Sequence, residues 1–294
     1  MKHTLLLLAS AFALFALHPV GLAAGPKTPE AINHEVFAPF SFAHFGDPQM
    51  GMGAGGLEAT RDRFIEAIGA AQEGKVELAY VAGDLVHNRT EEEYAALEEA
   101  WKHFAVPVLT VPGNHDIADP ATLERFRKRY GRDYGAVTWR NCAFLMLNPM
   151  LMSTDAPWYE PRDDKHAAEV RKHWAWLEAA MQEARDKNRT HVFLLIHVPP
   201  FLGKPDEKAG YGNMPMDART RLLELARRFG VTAILCGHCH STREVPVPTG
   251  PPIYTAGGTA RTDARHGYGY RLFRVTKDAV RQEFVQTREI APGK

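Results

Sequence analysis

The sequence predicts an α/β domain in which two packed mixed β-sheets carry helices on their outer faces, and three observations support this. Short apolar runs of strand length alternate with segments whose apolar spacing is near 3.6. Several strand-like runs end in Asp, Asn or His, most of them beside a glycine. The chain is 45% hydrophobic, enough for one sizeable core.

The elements follow in order. FAPFSFAHFGD reads as a strand ending at a turn, and GLEATRDRFIEAIGAAQE, with its acids early, as a helix. KVELAYVAGD is a strand and TEEEYAALEEAWKHF a helix capped by Thr90, with glutamates in its first turn. PVLTVPGNHD is a third strand and PATLERFRKRYG a third helix. Two strands then come close together, GAVTWRN and CAFLMLN. A polar loop with Trp158 and Tyr159 leads to the long helix KHAAEVRKHWAWLEAAMQEARDK. HVFLLIH is a strand, residues 198–215 a loop, DARTRLLELARRF a helix and VTAIL a strand. The tail, from REVPV through PPIYTAGG to GYGYRLFRVTKDAVRQEFVQT, reads as short antiparallel strands.

The first residues, MKHTLLLLASAFALFALHPVGLAAG, place a lysine before an apolar run and small residues after it. That layout is a cleaved secretory signal over 1–23, and the run is too short to span a bilayer. Residues 24–37 read as an exposed lead-in and 38–294 as the domain. The expectation is an exported chain, periplasmic or secreted, with no stable membrane anchor. Lys and Arg balance Asp and Glu at 35 each, which gives no electrostatic footprint for long nucleic acid or an anionic membrane. Three cysteines, an odd and small number, argue against a disulfide-built scaffold.

The polar strand ends are Asp47 and Gln49 in GDPQ, Asp84 in GDLVHN, Asn114, His115 and Asp116 in GNHD, His197 in IHVPP, and His238 and His240 in GHCH. Open α/β sheets place their sites at the carboxyl ends of strands, so loops spread over residues 47–240 can converge. Carboxylate, amide oxygen and imidazole together suit borderline to hard divalent metals. Glycines 46, 83, 113 and 237 let the backbone turn where a strand presents a side chain. Singly each block is weak; in this order, each behind an apolar strand, they form one pattern. His44, His103, His173, His191 and His266 lack partners of this kind and read as packing or solvated residues.

The stretch CGHCH supports three readings. Cys236 and Cys239 form C-x-x-C, and with His240 the pattern of covalent c-type haem attachment. A redox dithiol calls for C-x-x-C at the start of a helix, whereas STREVPVP reads as a turn and strand. In the third reading only Gly237, His238 and His240 matter, and Cys236 extends a buried strand.

From about Phe42 to Gly258 the chain resembles the calcineurin-like metallophosphoesterase family, whose blocks run D-x-H, G-D, G-N-H-D/E, H and G-H-x-H. With DPQ, GDLVH, GNHDI and GRDY it looks most like the subgroup of calcineurin-like phosphoesterase domain-containing proteins. The resemblance implies a four-layer α/β/β/α sandwich and two divalent ions, one held by Asp47, Gln49, Asp84 and His240, the other by Asp84, Asn114, His197 and His238. It implies hydrolysis of a small-molecule or protein phosphoester by in-line attack of a metal-bound hydroxide, with His115 at the leaving oxygen. A phosphomonoester is the first expectation and a phosphodiester or nucleotide pyrophosphate the alternative; the haem or dithiol reading is the remote one. Trp158, Tyr159, Tyr211 and Met214 are expected at the rim.

Two departures qualify the resemblance. Gln49 stands where the family usually has His, which favours Mn²⁺ over Zn²⁺, with Mg²⁺ or Fe also accommodated. His87 stands where protein phosphatases of the family have an Asp that orients the catalytic His, so Asp116 or another group is expected to orient His115, or else its orientation is looser. Arg89 lies one place out of register with the phosphate-binding Arg.

Overall fold

The computed structural model describes residues 34–263 and 265–290. The expected signal and most of the lead-in lie outside the described residues. The lead-in's last residues touch the domain, since His34 stacks on Trp139 at 4.6 Å and its N–H donates to the Thr138 carbonyl.

Alternating strands and helices build two sheets. The first runs β1 (Phe40–Phe45), α1 (Gly56–Glu73), β2 (Leu78–Val81), α2 (Glu91–Trp101) and β3 (Val108–Thr110), with β1, β2 and β3 parallel. After α3 (Pro120–Tyr130), β4 (Gly135–Trp139) and β5 (Cys142–Met146) pair antiparallel. Then α4 (Asp164–Asp186), β6 (Val192–Leu195), α5 (Met216–Arg228) and β7 (Ala233–Cys236) add parallel strands to β5. The remaining strands are β8 (Arg243–Val245), β9 (Ile253–Thr255), β10 (Tyr268–Val275) and β11 (Val280–Arg288). The strand orders are β11-β10-β1-β2-β3 and β4-β5-β6-β7-β9-β8. The expected two mixed sheets flanked by helices are therefore present.

The tail departs from the reading of short antiparallel strands. β9 pairs parallel with β7, and only β8 runs antiparallel to it. β10 and β11 are 8 and 9 residues long and cross to the first sheet, where β10 lies antiparallel to β1. Strand direction depends on which neighbour offers its open edge, and the tail's own letters do not carry that information.

Alternation within β1 sets the layering. Phe40, Phe42 and His44 point between the sheets, while Ala43 and Phe45 face the helices. Phe42 stacks on Phe273 at 4.7 Å and meets Phe144 and Phe193 edge-on, both at 5.4 Å. Helix starts follow the sequence signals: Thr90 and Glu93 form a capping box on α2, as do Asp119 and Thr122 on α3. Among the described residues no helix is long and apolar enough to cross a membrane.

Two histidines are locked inside. His44 lies against Tyr80 at 5.0 Å with neither ring nitrogen hydrogen-bonded by a side-chain partner, and burial pushes it down to about 3. His173 is likewise pushed down by burial, to about 4. A free histidine titrates near 6.5, so below that pH the unfolded chain takes protons that the folded chain refuses. Stability present above about pH 6.5 is expected to fall as pH drops towards 4, by up to about 1.4 kcal/mol per pH unit for each ring. Denaturant titrations of wild type and His44→Leu at pH 5 to 7.5 check this. The variant should show the shallower slope, whatever its stability at pH 7.5.

Candidate metal centre

The carboxyl ends of β1, β2, β3, β6 and β7 bring the polar loops to one place. Backbone bonds fasten them: Gln49 N–H donates to the Asp84 carbonyl at 2.8 Å, Gly237 N–H to the His197 carbonyl at 2.9 Å, and Ala82 N–H to the Phe45 carbonyl at 2.9 Å. Asp84, His197 and His238 offer ligand atoms that all lie within 4.8 Å of one another, and all three are buried.

The two rings are held so that their lone pairs point inward. His197 Nδ1 is 2.6 Å from the Ala82 carbonyl, which accepts its proton and leaves Nε2 as the lone-pair nitrogen. His238 Nε2 is 2.7 Å from the Tyr211 carbonyl, which leaves Nδ1 free in the same way. These inner nitrogens stand 3.2 Å apart, and His197 Nε2 is 3.3 Å from both Asp84 Oδ2 and Asn114 Oδ1. When His197 is neutral, four acceptors face one another; with no cation among them, and against the lowering effect of burial, Asp84 and Asp47 raise His197 to about 9, and its Nε2 keeps a proton that a metal would displace. Such a cluster asks for a cation, and imidazole, carboxylate and amide oxygen are the donor set of a divalent metal.

The neighbouring group is organised around Asp47. Its Oδ1 accepts from His238 N–H at 2.9 Å and lies 3.3 Å from His197 Nδ1. Its Oδ2 is buried with no partner among the described residues, and so is Gln49 Oε1. Two orphaned buried oxygens on one loop fit a second cation site. The Gln49 amide nitrogen meets His87 Nδ1 at 3.3 Å. His240 is half-buried, with Nδ1 3.3 Å from the Arg261 carbonyl.

Electrostatics follow from burial. Burial raises Asp47, against the lowering pull of His197 and His240. Asp84 is buried too, but His197 and the His115 amide hold it below the usual carboxylate range. Burial pushes His238 down to about 4, which favours the neutral, ligating form.

His115 stands beside this cluster. Its N–H donates to Asp84 Oδ1 at 2.8 Å, and its ring stacks on His87 with centroids 4.8 Å apart. Of the two expected sources of orientation, Asp116 or another group, the structure favours the second. Asp116 is buried and accepts the N–H groups of Leu85 at 2.9 Å and Gly113 at 2.8 Å, so it ties two loops together and makes no hydrogen bond to the ring. His115 Nδ1 is instead 2.8 Å from the backbone carbonyl of His87. A carbonyl replaces the expected carboxylate, and it has no letter of its own in a sequence. Arg89 donates to the His115 carbonyl at 2.7 Å, a backbone contact outside the sequence expectation. Trp158 Nε1 donates to the Tyr211 carbonyl at 3.1 Å, the same oxygen that faces His238 Nε2, so the expected rim residues also hold a candidate ligand ring in place.

The sulfurs lie apart from this chemistry. The three cysteines are free, and Cys236 is fully buried at the end of β7, where burial raises its thiol well above the ordinary value. A thiol without solvent access suits neither disulfide exchange nor haem attachment. Cys239 Sγ faces Ser241, whose Oγ donates to it at 3.3 Å.

The glycines are needed more for room than for turning. Gly83 has a positive φ of 82°, but a Cβ on Gly113 would meet Asp84 Oδ1 at 2.1 Å. Gly113→Ala is expected to push the Asp84 carboxylate out of place and to lower metal affinity at least about tenfold. Isothermal titration of the metal-stripped protein with Mn²⁺ measures it. Far-ultraviolet circular dichroism should stay unchanged, separating displacement from unfolding.

Comparison with known proteins agrees with this geometry. Residues 40–242 match the calcineurin-like phosphoesterase family. The serine/threonine-protein phosphatase CPPED1 of Danio rerio is 29% identical over 227 residues, covering 69% of this chain and 70% of that protein. A probable glycerophosphodiester phosphodiesterase, GpdQ of Arcobacter nitrofigilis, is 28% identical over 171 residues, covering 56% of this chain and 57% of its own. The crystal structure of a dimetal phosphatase from Danio rerio shares the fold with a TM-score of 0.67 at 16% identity, over 86% of this chain and 98% of that one. The match spans more than two thirds of the sequence and contains every candidate ligand, so the chain belongs to the calcineurin-like phosphoesterase family and is a metal-dependent phosphoric ester hydrolase.

Proposed function

We propose that this chain is an exported phosphomonoesterase that works with two divalent ions, Mn²⁺ before Zn²⁺. The observation that carries the reading is the convergence of His197 Nε2, His238 Nδ1, Asp84 Oδ2 and Asn114 Oδ1, each with its other polar atoms already engaged. Asp84, Asn114, His197 and His238 would hold one ion, and Asp47, Gln49, Asp84 and His240 the other. When bound, such a pair neutralises phosphate oxygens and acidifies a water.

The chain's own residues do the rest. The Asp84 carboxylate, anchored by the His115 amide, would be shared by both groups of ligands. His115 keeps its Nδ1 proton on the His87 carbonyl, so Nε2 hands a proton to the leaving oxygen from the imidazolium form, which leaves a neutral ring. The serine/threonine-protein phosphatase relatives favour a monoester, whose two negative charges suit a dicationic site. A diester is the second reading, favoured by the similarity to glycerophosphodiester phosphodiesterases. Export rests on the leader-like first residues.

The purified protein is expected to be colourless near 400 nm and to hydrolyse an aryl phosphomonoester, faster than the bis-aryl diester, only when divalent metal is added. Asp84→Asn should lower kcat/KM at least about 100-fold, while Cys239→Ser keeps most of the activity. A preference for the diester would move the assignment to the second reading. A haem band that survives acid-acetone extraction would overturn it.

The orphaned Gln49 oxygen supports a ligand role at the first site. Gln49→Ala should leave one site occupied and the other depleted, and Gln49→His should tighten the same site for Zn²⁺. Metal content by mass spectrometry of wild type and both variants measures it. Equal content and equal metal preference in all three would remove Gln49 from the ligands.

A further inference from the structure

Tyr211 sits on the loop between β6 and α5 with 62% of its surface exposed, as a residue that only contacts substrate would be. Its two oxygens are nevertheless both committed to candidate ligands. The phenol oxygen accepts a hydrogen bond from Asn114 Nδ2 at 2.8 Å. The carbonyl oxygen accepts from His238 Nε2 at 2.7 Å. With the amide nitrogen of Asn114 occupied on the outer side, Oδ1 is the atom turned towards His197 Nε2. With the Nε2 proton of His238 taken, Nδ1 is the atom turned inward. One residue therefore faces two members of a single ligand group.

The loop beneath it is built to hold still. The Glu207 carboxylate accepts the N–H groups of Leu202 at 2.9 Å and Gly203 at 2.8 Å, and the Asn213 amide at 2.6 Å. Asn213 Oδ1 in turn accepts from Gly210 N–H at 2.8 Å. The fully buried Arg219 on α5 donates to the carbonyls of Pro205, Glu207 and Met214 at 2.9, 2.6 and 3.0 Å. Trp158, only 7% exposed, donates its indole N–H to the Tyr211 carbonyl from the opposite loop. An exposed ring on so tightly tied a backbone is placed to transmit position.

We propose that Tyr211 is a positioning residue for the metal held by Asp84, Asn114, His197 and His238, fixing the Asn114 amide through its hydroxyl and the His238 tautomer through its carbonyl. This rests on the reading of those four residues as ligands. Removing the hydroxyl frees the Asn114 amide to rotate and leaves the carbonyl contact intact, so the effect of Tyr211→Phe is partial and confined to one ion. Outer hydrogen bonds to ligating groups are worth about 10–100-fold in metal affinity.

The test is a titration of the metal-stripped full chain with Mn²⁺, reading free Mn²⁺ by electron paramagnetic resonance. Wild type should bind two equivalents. In Tyr211→Phe the dissociation constant of one equivalent should rise about 10–100-fold while the other stays in place, and turnover of the aryl monoester should fall in step with Mn²⁺ occupancy. Asn114→Ala should weaken the same equivalent, and the double variant should be no weaker than Asn114→Ala alone, because the hydroxyl acts through that amide. Unchanged Mn²⁺ binding in Tyr211→Phe with a raised KM would overturn the proposal and make the phenol a substrate contact. An additive double variant would overturn it as well. If wild type itself bound no Mn²⁺, the ligand assignment would fail along with the inference; wild-type binding with an unaffected Tyr211→Phe sinks the inference alone.

Discussion

The constraint on which the site depends is the direction of two imidazole protons. In their neutral forms His197 and His238 turn lone pairs towards each other, 3.2 Å apart, because the carbonyls of Ala82 and Tyr211 take the outer protons. A ring turned the other way would aim an N–H where a metal needs a donor. Ala82 follows the last residue of β2, so one tautomer is set where the first sheet ends. Tyr211 belongs to the loop after β6, so the other is set from the second sheet's side. The site exists because the two sheets are packed in a fixed relation, and the aromatic layer around Phe42 supplies that relation.

Convergence of this kind is costly. Gln49, Asp84, His238 and His240 all have positive φ, between 31° and 68°, where a side chain crowds its own backbone. Each such residue costs about 1–3 kcal/mol, which the surrounding fold must offset. The same four are candidate ligands, and the sharp turn is what swings each side chain off the strand axis into the common space. Glycine could make these turns without strain but has no donor to offer. Asp116 helps to hold the strained loops, since its buried carboxylate clasps the backbones of the Asp84 and Asn114 loops at once.

Burial separates the chemistry of similar residues. Cys236 and His238 are two positions apart, yet the thiol is sealed in the sheet while the ring opens onto the acid cluster. His44 and His197 are both fully buried histidines, and they differ in their neighbours. His44 has aromatic rings around it and stays neutral, whereas His197 has Asp84 and Asp47 within 3.3 Å, and these raise it. A metal bound between those groups would take over the charge that a proton balances otherwise.

Periodicity and strand-end chemistry already determined, from the sequence alone, the element order, the two-sheet class and the set of loops that carry donors. Those features are local: a 3.6 or 2.0 repeat, a capping Thr90 and a glycine beside a polar letter are all read within a few residues. The parallel pairing of β9 and the passage of β10 to the first sheet were decided by available edges, which no local pattern encodes. The same holds for the orientation of His115 by the His87 carbonyl and of His238 by the Tyr211 carbonyl. Every residue carries a carbonyl, so its letter says nothing about which one will accept a ring proton. Only the packing of distant loops selects the one that does.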